Sequence, residues 1–340
     1  MNTKIAAVIT ALLATQPALA EPKAPVVIGY VPAFKGMGPI MAKADIGQYT
    51  HLNLSFINPD PTGAVVSDGK MTCMPDAGGV QVTSESLRTA VDLAHAKSVK
   101  VLVSLGGGTI PQCSGDWRIM LEPHNRDIVV ADLIKLVDDY GLDGLDVDIE
   151  GALLTEIDKA GNYTPFIAAL SAALKARGKL LTCATASYEG GMIPISSIPY
   201  FDLVNVMAYD AIGPSWGTPG DEHSPLSQAK RDMDLWRARG VPKDKLVLGV
   251  PFYGYGFGDY KDGYGGMRDL IARYGEDILK TDVIGKRCGG CSYVTYNGLE
   301  TLQKKTKLAA DKGAGIMVWE ISQDTDDHRL ITTAKAALKD

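Results

Sequence analysis

Three acids occupy alternate positions of one short stretch: Asp146, Asp148 and Glu150, interleaved with Leu145, Val147 and Ile149. Side chains of a strand point alternately to its two faces, so this pattern puts the carboxyls on one side and the aliphatic residues on the other. Neighbouring acids then lie about 6.6 Å apart and the row spans about 13 Å. Carboxylates so arranged cannot all ionise cheaply, and protons are retained or shared along the row. A carboxyl that keeps its proton toward neutral pH is suited to general acid catalysis. Glu150 comes last and is expected at the open end of the strand in that role. Asp148, one step deeper, is either held charged or shares a proton with Asp146.

A calcium loop is the competing reading. With Asp146 as position 1, D-x-D-x-E-G runs through Gly151, but position 12, where a bidentate Glu belongs, is Ile157. Strict apolar alternation also fits a strand rather than a loop. No metal site is therefore expected, and no cofactor.

Such a strand needs neighbours to hold it. Short apolar, β-branched runs recur at Val26 to Val31, Leu52 to Ile57, Val99 to Leu105, Lys179 to Thr185, Leu203 to Tyr209, Leu246 to Phe252 and Gly315 to Trp319. With the acidic strand they make eight. Helical patterns separate them. Val129, Leu133, Leu136, Val137 and Tyr140 share one face before Gly141. Thr164-Pro165, Ser224-Pro225 and Asn297 with Glu300 read as helix starts. Leu226, Ala229, Met233 and Trp236 line the inner side of the helix that Ser224-Pro225 opens. Eight βα units predict an α/β fold, a closed (β/α)8 barrel of the TIM type. An open doubly wound sheet is disfavoured, because Gly29-Tyr30-Val31-Pro32 after the first strand is not a phosphate-binding glycine loop. Two longer interruptions, Asn58 to about Val82 and Tyr253 to about Tyr296, follow the second and seventh strands at their C-terminal ends, where a barrel builds its site.

Composition narrows the partners. Residues 1–20 carry Lys4, an apolar run from Ile5 to Ala14, Pro17 and the small-x-small end Ala18-Leu19-Ala20, the pattern of an export signal too short to span a bilayer. Its removal leaves a single domain, 21–340, that is secreted or periplasmic and off the membrane. The formal charge moves from −6 to −7 when Lys4 is lost. An acidic chain without a basic run disfavours nucleic acid as partner. Five cysteines suit an oxidising compartment. Cys183 lies in an apolar run and is expected as a buried thiol. Cys288 and Cys291 can close a small loop, and Cys73 with Cys113 a second one. A single C-x-x-C supplies only two of the four ligands of a structural zinc, and no βαβ unit starts there to make it a redox motif.

Asp143-Gly144-Leu145-Asp146-Val147-Asp148-Ile149-Glu150 resembles the D-x-x-D-x-D-x-E signature of glycoside hydrolase family 18, which contains chitinases and endo-β-N-acetylglucosaminidases. Ser104-Leu105-Gly106-Gly107, Met207-Ala208-Tyr209-Asp210, Gly249-Val250-Pro251-Phe252-Tyr253-Gly254 and Gly315-Ile316-Met317-Val318-Trp319-Glu320 are similar to further patterns of that family, in its order. The resemblance covers about Val26 to Ile331. It implies hydrolysis of β-1,4-linked N-acetylglucosamine polymers with retention, assisted by the substrate's own 2-acetamido group. Glu150 would be the acid, Asp148 would orient the acetamido N–H with Asp146 as its partner, and Tyr209 would bond the acetamido oxygen. Trp319 would floor the cleaved sugar. Met207, Asp210, Tyr30 and Gly107 would belong to the substrate site, with Trp216 walling the leaving-group side. Asp143 is expected to support the strand from its far side.

In the first-strand pattern Phe34 stands where the family often has Trp. Many chitinases of the family insert a small α+β domain after the seventh strand. The segment Tyr255 to Tyr293 is short for it and reads as a Gly- and aromatic-rich loop. With no added binding module, the expected partner is a soluble or accessible N-acetylglucosamine polymer, met by a monomer. An N-glycan- or peptidoglycan-cutting enzyme and a non-catalytic lectin on the same barrel are the alternatives. A lectin typically lacks the final acid, which is present here as Glu150.

Overall fold

The computed structural model describes residues 24–339, so the expected export signal lies outside the described residues. Within them eight parallel strands close into a barrel. They are β1 (Val26–Pro32), β2 (His51–Ile57), β3 (Lys100–Gly107), β4 (Gly144–Ile149), β5 (Leu180–Thr185), β6 (Leu203–Val206), β7 (Leu246–Pro251) and β8 (Gly315–Trp319). Closure is direct: β1 pairs β8 with Val26 opposite Gly315, and pairs β2 with Ile28 opposite His51. The expected strands are all present. The sixth stops at Val206, so Met207, Ala208 and Tyr209 lie just beyond it.

Parity along the strands sorts the residues. Leu52, Leu54, Val101, Val103, Leu145, Val147, Leu181, Val204, Leu248 and Ile316 pack outward against the helices in one continuous core. Burying each such aliphatic side chain contributes about 1.5–3 kcal/mol. The opposite parity faces the barrel axis. On β6, β7, β8 and β1 it supplies Leu203, Val247, Met317, Ile28 and Tyr30, an apolar half-lining. On β2 to β6 it supplies Asn53, Ser104, Asp146, Thr182 and Asn205, all buried. The barrel interior is therefore greasy on one side and polar on the other, with the acid row on the polar side.

The helix before β4, Pro123–Tyr140, starts with its proline in the first turn and ends on Gly141 at φ 65°, in the left-handed region that favours glycine. It buries Val129, Leu133, Ile134, Leu136, Val137 and Tyr140. Two expected helix starts are displaced. The helix at 163–175 begins before Thr164, whose hydroxyl instead meets Ser196 at 2.7 Å. Asn297 does not cap the helix Leu299–Lys312; its amide donates to the Ser224 carbonyl at 2.8 Å.

Both long interruptions are folded. After β2, short strands at Val66–Ser67, Lys70–Pro75 and Gln81–Thr83 form an antiparallel sheet, and Cys73–Cys113 ties it to the loop after β3. After β7, the stretch expected as a loop is a four-stranded antiparallel lobe of Tyr253–Phe257, Gly265–Gly266, Val283–Gly285 and Tyr293–Thr295, with the helix Met267–Tyr274. Its strands of two to five residues are too short for alternation to show in sequence. Met267, Leu270, Ile278 and Val294 join the barrel's own core, so the lobe shares that core rather than making a separate one. Cys288 and Cys291 are bonded to each other, and Cys183 is a buried thiol.

Candidate active site

The register of β3, β4 and β5 sets Ser104, Asp146 and Thr182 side by side. Ser104 Oγ donates to Asp146 at 2.7 Å and Thr182 Oγ1 at 2.5 Å. Tyr30 Oη, reaching across from β1, donates at 2.6 Å, and Asn205 Nδ2 lies at 3.5 Å. Burial pushes the Asp146 carboxyl up, while the hydroxyls of Thr182, Tyr30 and Ser104 pull it back toward the ionised form. Asp146 is thus a fully buried carboxyl held by donors on several sides.

Asp148 has no such support. It is buried, and its Oδ1 has no hydrogen-bond partner. Burial first, then Glu150, then Asp146 push its pKa well above the usual carboxylate range. Glu150 follows the last residue of β4 and precedes the helix Gly151–Lys159. Burial and the nearby Asp210 raise its carboxyl from 4.5 to about 7. The two carboxyls titrate together. The site therefore holds a proton near neutrality on the Asp148–Glu150 pair, with Asp146 beneath it.

Glycine clears the space beside this row. Gly106 has φ +93°, and a Cβ there would meet the Asp148 carbonyl at 2.7 Å. At Gly108 a Cβ would stand 3.1 Å from Glu150 Oε1. The Ser-x-Gly-Gly run thus supplies a donor to Asp146 and room for the Asp148 backbone, and the next residue, Gly108, leaves room for the Glu150 carboxyl.

Two cavities meet at Glu150. One, about 470 Å³, runs past Asp148 to Phe34, Phe56 and Trp319. Trp319 stacks on Phe56 with ring centroids 5.7 Å apart and leans over Tyr30 at 5.4 Å. The other, about 710 Å³, runs toward Trp216 and Tyr188 and onto the helix Leu226–Ala238. Glu150, Met207, Tyr209 and Asp210 line both. Tyr209 is buried, and its hydroxyl has only a 3.9 Å contact with Met317 Sδ. Asp210 accepts from Tyr253 Oη at 2.5 Å, and His223 Nδ1 lies 3.6 Å from it. Trp216, 46% exposed, donates its indole N–H to the Asp210 carbonyl at 2.9 Å.

The structure thus brings Glu150, Asp148, Tyr209, Met207, Asp210, Trp319 and Trp216 to one cleft. Two expected substrate contacts lie elsewhere. Tyr30 is buried beneath Trp319, outside both cavities, with its hydroxyl turned down onto Asp146. Gly107 packs under the Phe56 ring, and its neighbour Gly108 faces the cleft. Asp143 does brace the strand from outside, accepting from Val101 N–H and meeting His95 Nε2, each at 2.8 Å. Sequence reasoning missed Phe34, Phe56, Tyr188, Gln228 and Asp232 as cleft residues. Phe34 was signalled by its place in the first-strand pattern, and Phe56 only by being aromatic near the end of β2.

Sequence comparison decides the family. The model for glycosyl hydrolases family 18 matches residues 26–324. The chain belongs to that family. Family membership makes it a glycosidase, and its neighbours agree. The chitinase ChiB from the chitin utilization locus of Flavobacterium johnsoniae superposes with a TM-score of 0.78 at 30% identity, covering 93% of this chain and 94% of that one. A class V chitinase of Arabidopsis thaliana is 29% identical over 280 residues, 71% of this chain and 73% of the plant protein. Chitinase A1 of Niallia circulans is 25% identical over 93% of this chain, which spans 59% of that protein. The chain spans only 14% of probable chitinase 10 from Drosophila melanogaster. A chitinase from Cycas revoluta, solved with (GlcNAc)3, shares the fold at 23% identity and a TM-score of 0.73. Among the described residues of this family 18 glycosidase, no helix is long and apolar enough to cross a membrane.

Proposed function

We propose that this glycosidase is an exported, monomeric hydrolase of β-1,4-linked N-acetylglucosamine polymers, cutting with retention through the substrate's own acetamide. The observation that carries this reading is Glu150 at the junction of two cavities, with its carboxyl raised to about 7 and the unpartnered Asp148 beside it. The sugar that keeps the anomeric carbon lies on the Trp319 side, its apolar C–H face on the indole. The leaving sugar lies toward Trp216.

In this scheme Glu150 gives its proton to the glycosidic oxygen as the anomeric C–O bond breaks. The acetamido carbonyl oxygen forms the new bond to that carbon, leaving an oxazolinium ion. Asp148 accepts the acetamido N–H. That arriving donor favours its ionised form and leaves the shared proton on Glu150. Tyr209 Oη, with no better partner than a thioether, donates to the acetamido oxygen. Water then opens the ion from the vacated side, and the Glu150 carboxylate takes the water's proton.

Side-by-side digestion of chitin oligosaccharides, peptidoglycan and an N-glycan, with product sizes read by mass spectrometry, tests the substrate. Shortened N-acetylglucosamine oligomers from the first alone are expected. Products only from the N-glycan or peptidoglycan would replace this reading with the endo-β-N-acetylglucosaminidase one. Binding without any product would leave the lectin.

A further inference from the structure

The cavity on the Trp216 side carries polar groups that the reaction above does not use. Asp232, on the helix Leu226–Ala238, is 7% exposed, and its Oδ2 has no partner. Gln228, one turn earlier on the same helix, buries its amide oxygen Oε1, also without a partner, while its NH₂ donates to the Tyr209 carbonyl at 3.4 Å. Residues four apart on a helix share a face, so the two acceptors lie side by side. Both residues line the cavity that begins at Glu150, and the Gln228 amide and Ser187 hydroxyl both draw the Asp232 carboxyl toward its ionised form while leaving Oδ2 without a bonded partner.

A buried acceptor left without a donor is destabilising, and an ionised one more so. Two in one cavity point to a ligand that brings donors. Burial lifts Asp232 to about 6, so at neutral pH it is mostly ionised. The cations nearest to it do not neutralise it by contact. Arg231, exposed and lining the same cavity, favours the ionised carboxyl from a distance, and Lys305 is fully buried with its ammonium bound to Ser224 and Asn297 at 2.6–2.7 Å. Among the described residues neither forms an ion pair with Asp232.

We propose that Asp232 and Gln228 read the leaving-group side of the substrate and select a sugar carrying a free 2-amino group, whose ammonium donates to Asp232 Oδ2 and Gln228 Oε1. The substrate class is then a partially deacetylated N-acetylglucosamine polymer, with the acetylated unit on the Trp319 side and a glucosamine unit on the Trp216 side. The inference rests on the function proposed above. Ammonium matches two adjacent acceptors, one of them anionic, with several donors and a charge. An acetamido group offers a single N–H and brings a carbonyl oxygen into a space already lined by acceptors. A hydroxyl offers one donor and no charge.

The test is digestion of a partially deacetylated polymer, with the sugar at each new non-reducing end identified by mass spectrometry. The ratio of glucosamine to N-acetylglucosamine there should be about tenfold above that of the whole polymer, the discrimination expected of one charge-assisted bond. Asp232→Asn keeps the shape and removes the charge, and should abolish most of the enrichment. Gln228→Met should reduce it, and serves if the first variant does not fold. New ends of average composition in the wild type, or enrichment unchanged in either variant, would overturn the inference. A wild type that fails to cut fully acetylated chitin oligosaccharides would remove the reaction itself, and both proposals would fall together.

Discussion

Glu150→Gln offers a test of the acid row that needs no substrate. The native carboxyl sits at about 7, against 4.5 when free, because of burial and Asp210. Between those values the folded chain binds a proton that the unfolded chain releases. Wild-type stability therefore falls as pH climbs through that window, and the loss is complete above about pH 7. At about 1.4 kcal/mol per pH unit the full cost is about 3 kcal/mol. Partial access to solvent from the two cavities reduces this to about 2 kcal/mol. Glutamine keeps the shape and cannot ionise. Thermal melts of both proteins from pH 4.5 to pH 8 should coincide in the acid and separate above neutrality. The variant should be higher by about 4 °C, at roughly 2 °C per kcal/mol for a chain of this size. A melting difference that does not grow with pH would show that Glu150 is not perturbed, and the electrostatic case for it as a near-neutral acid would fail.

Two further outcomes follow from the same geometry. Hydrolysis of a chitin oligosaccharide should decline as pH rises through about 7, because the proposed reaction starts from protonated Glu150; a flat rate up to pH 9 would contradict this. Tyr209→Phe removes a buried hydroxyl whose sole contact is a sulfur at 3.9 Å, so the fold should be almost unaffected. The kcat should drop by about 10²–10³, the usual cost of losing a donor to developing charge, and a kcat within threefold of wild type would remove Tyr209 from the reaction.

The barrel and the acid row were legible in sequence because both rest on simple periods. Asp146, Asp148 and Glu150 share a face by alternation alone, and eight βα units leave few topologies. Residues whose roles depend on register across the barrel were harder to place. Tyr30 stands in a strand motif, yet only the closure of β1 against β2 and β8 shows its hydroxyl turned onto Asp146. The lobe after β7 was hidden by strands too short to alternate. Asp232 left a trace: it falls on the inner side of a helix with Ala229, Met233 and Trp236, where an acid has no packing reason to be. Lys305 left a similar one, a charged residue beside Leu302 and Ala309 on a buried face, and the structure gives its ammonium three oxygen partners.

In the proposed reaction Glu150 delivers the proton that cleaves the N-acetylglucosamine linkage. The most direct test is Glu150→Gln measured two ways on one chitin oligosaccharide, affinity by calorimetry and turnover by product release. Affinity within a few-fold of wild type is expected, with a kcat lower by at least about 10²–10⁴. Turnover near the wild-type rate, with the oligosaccharide bound, would contradict that role.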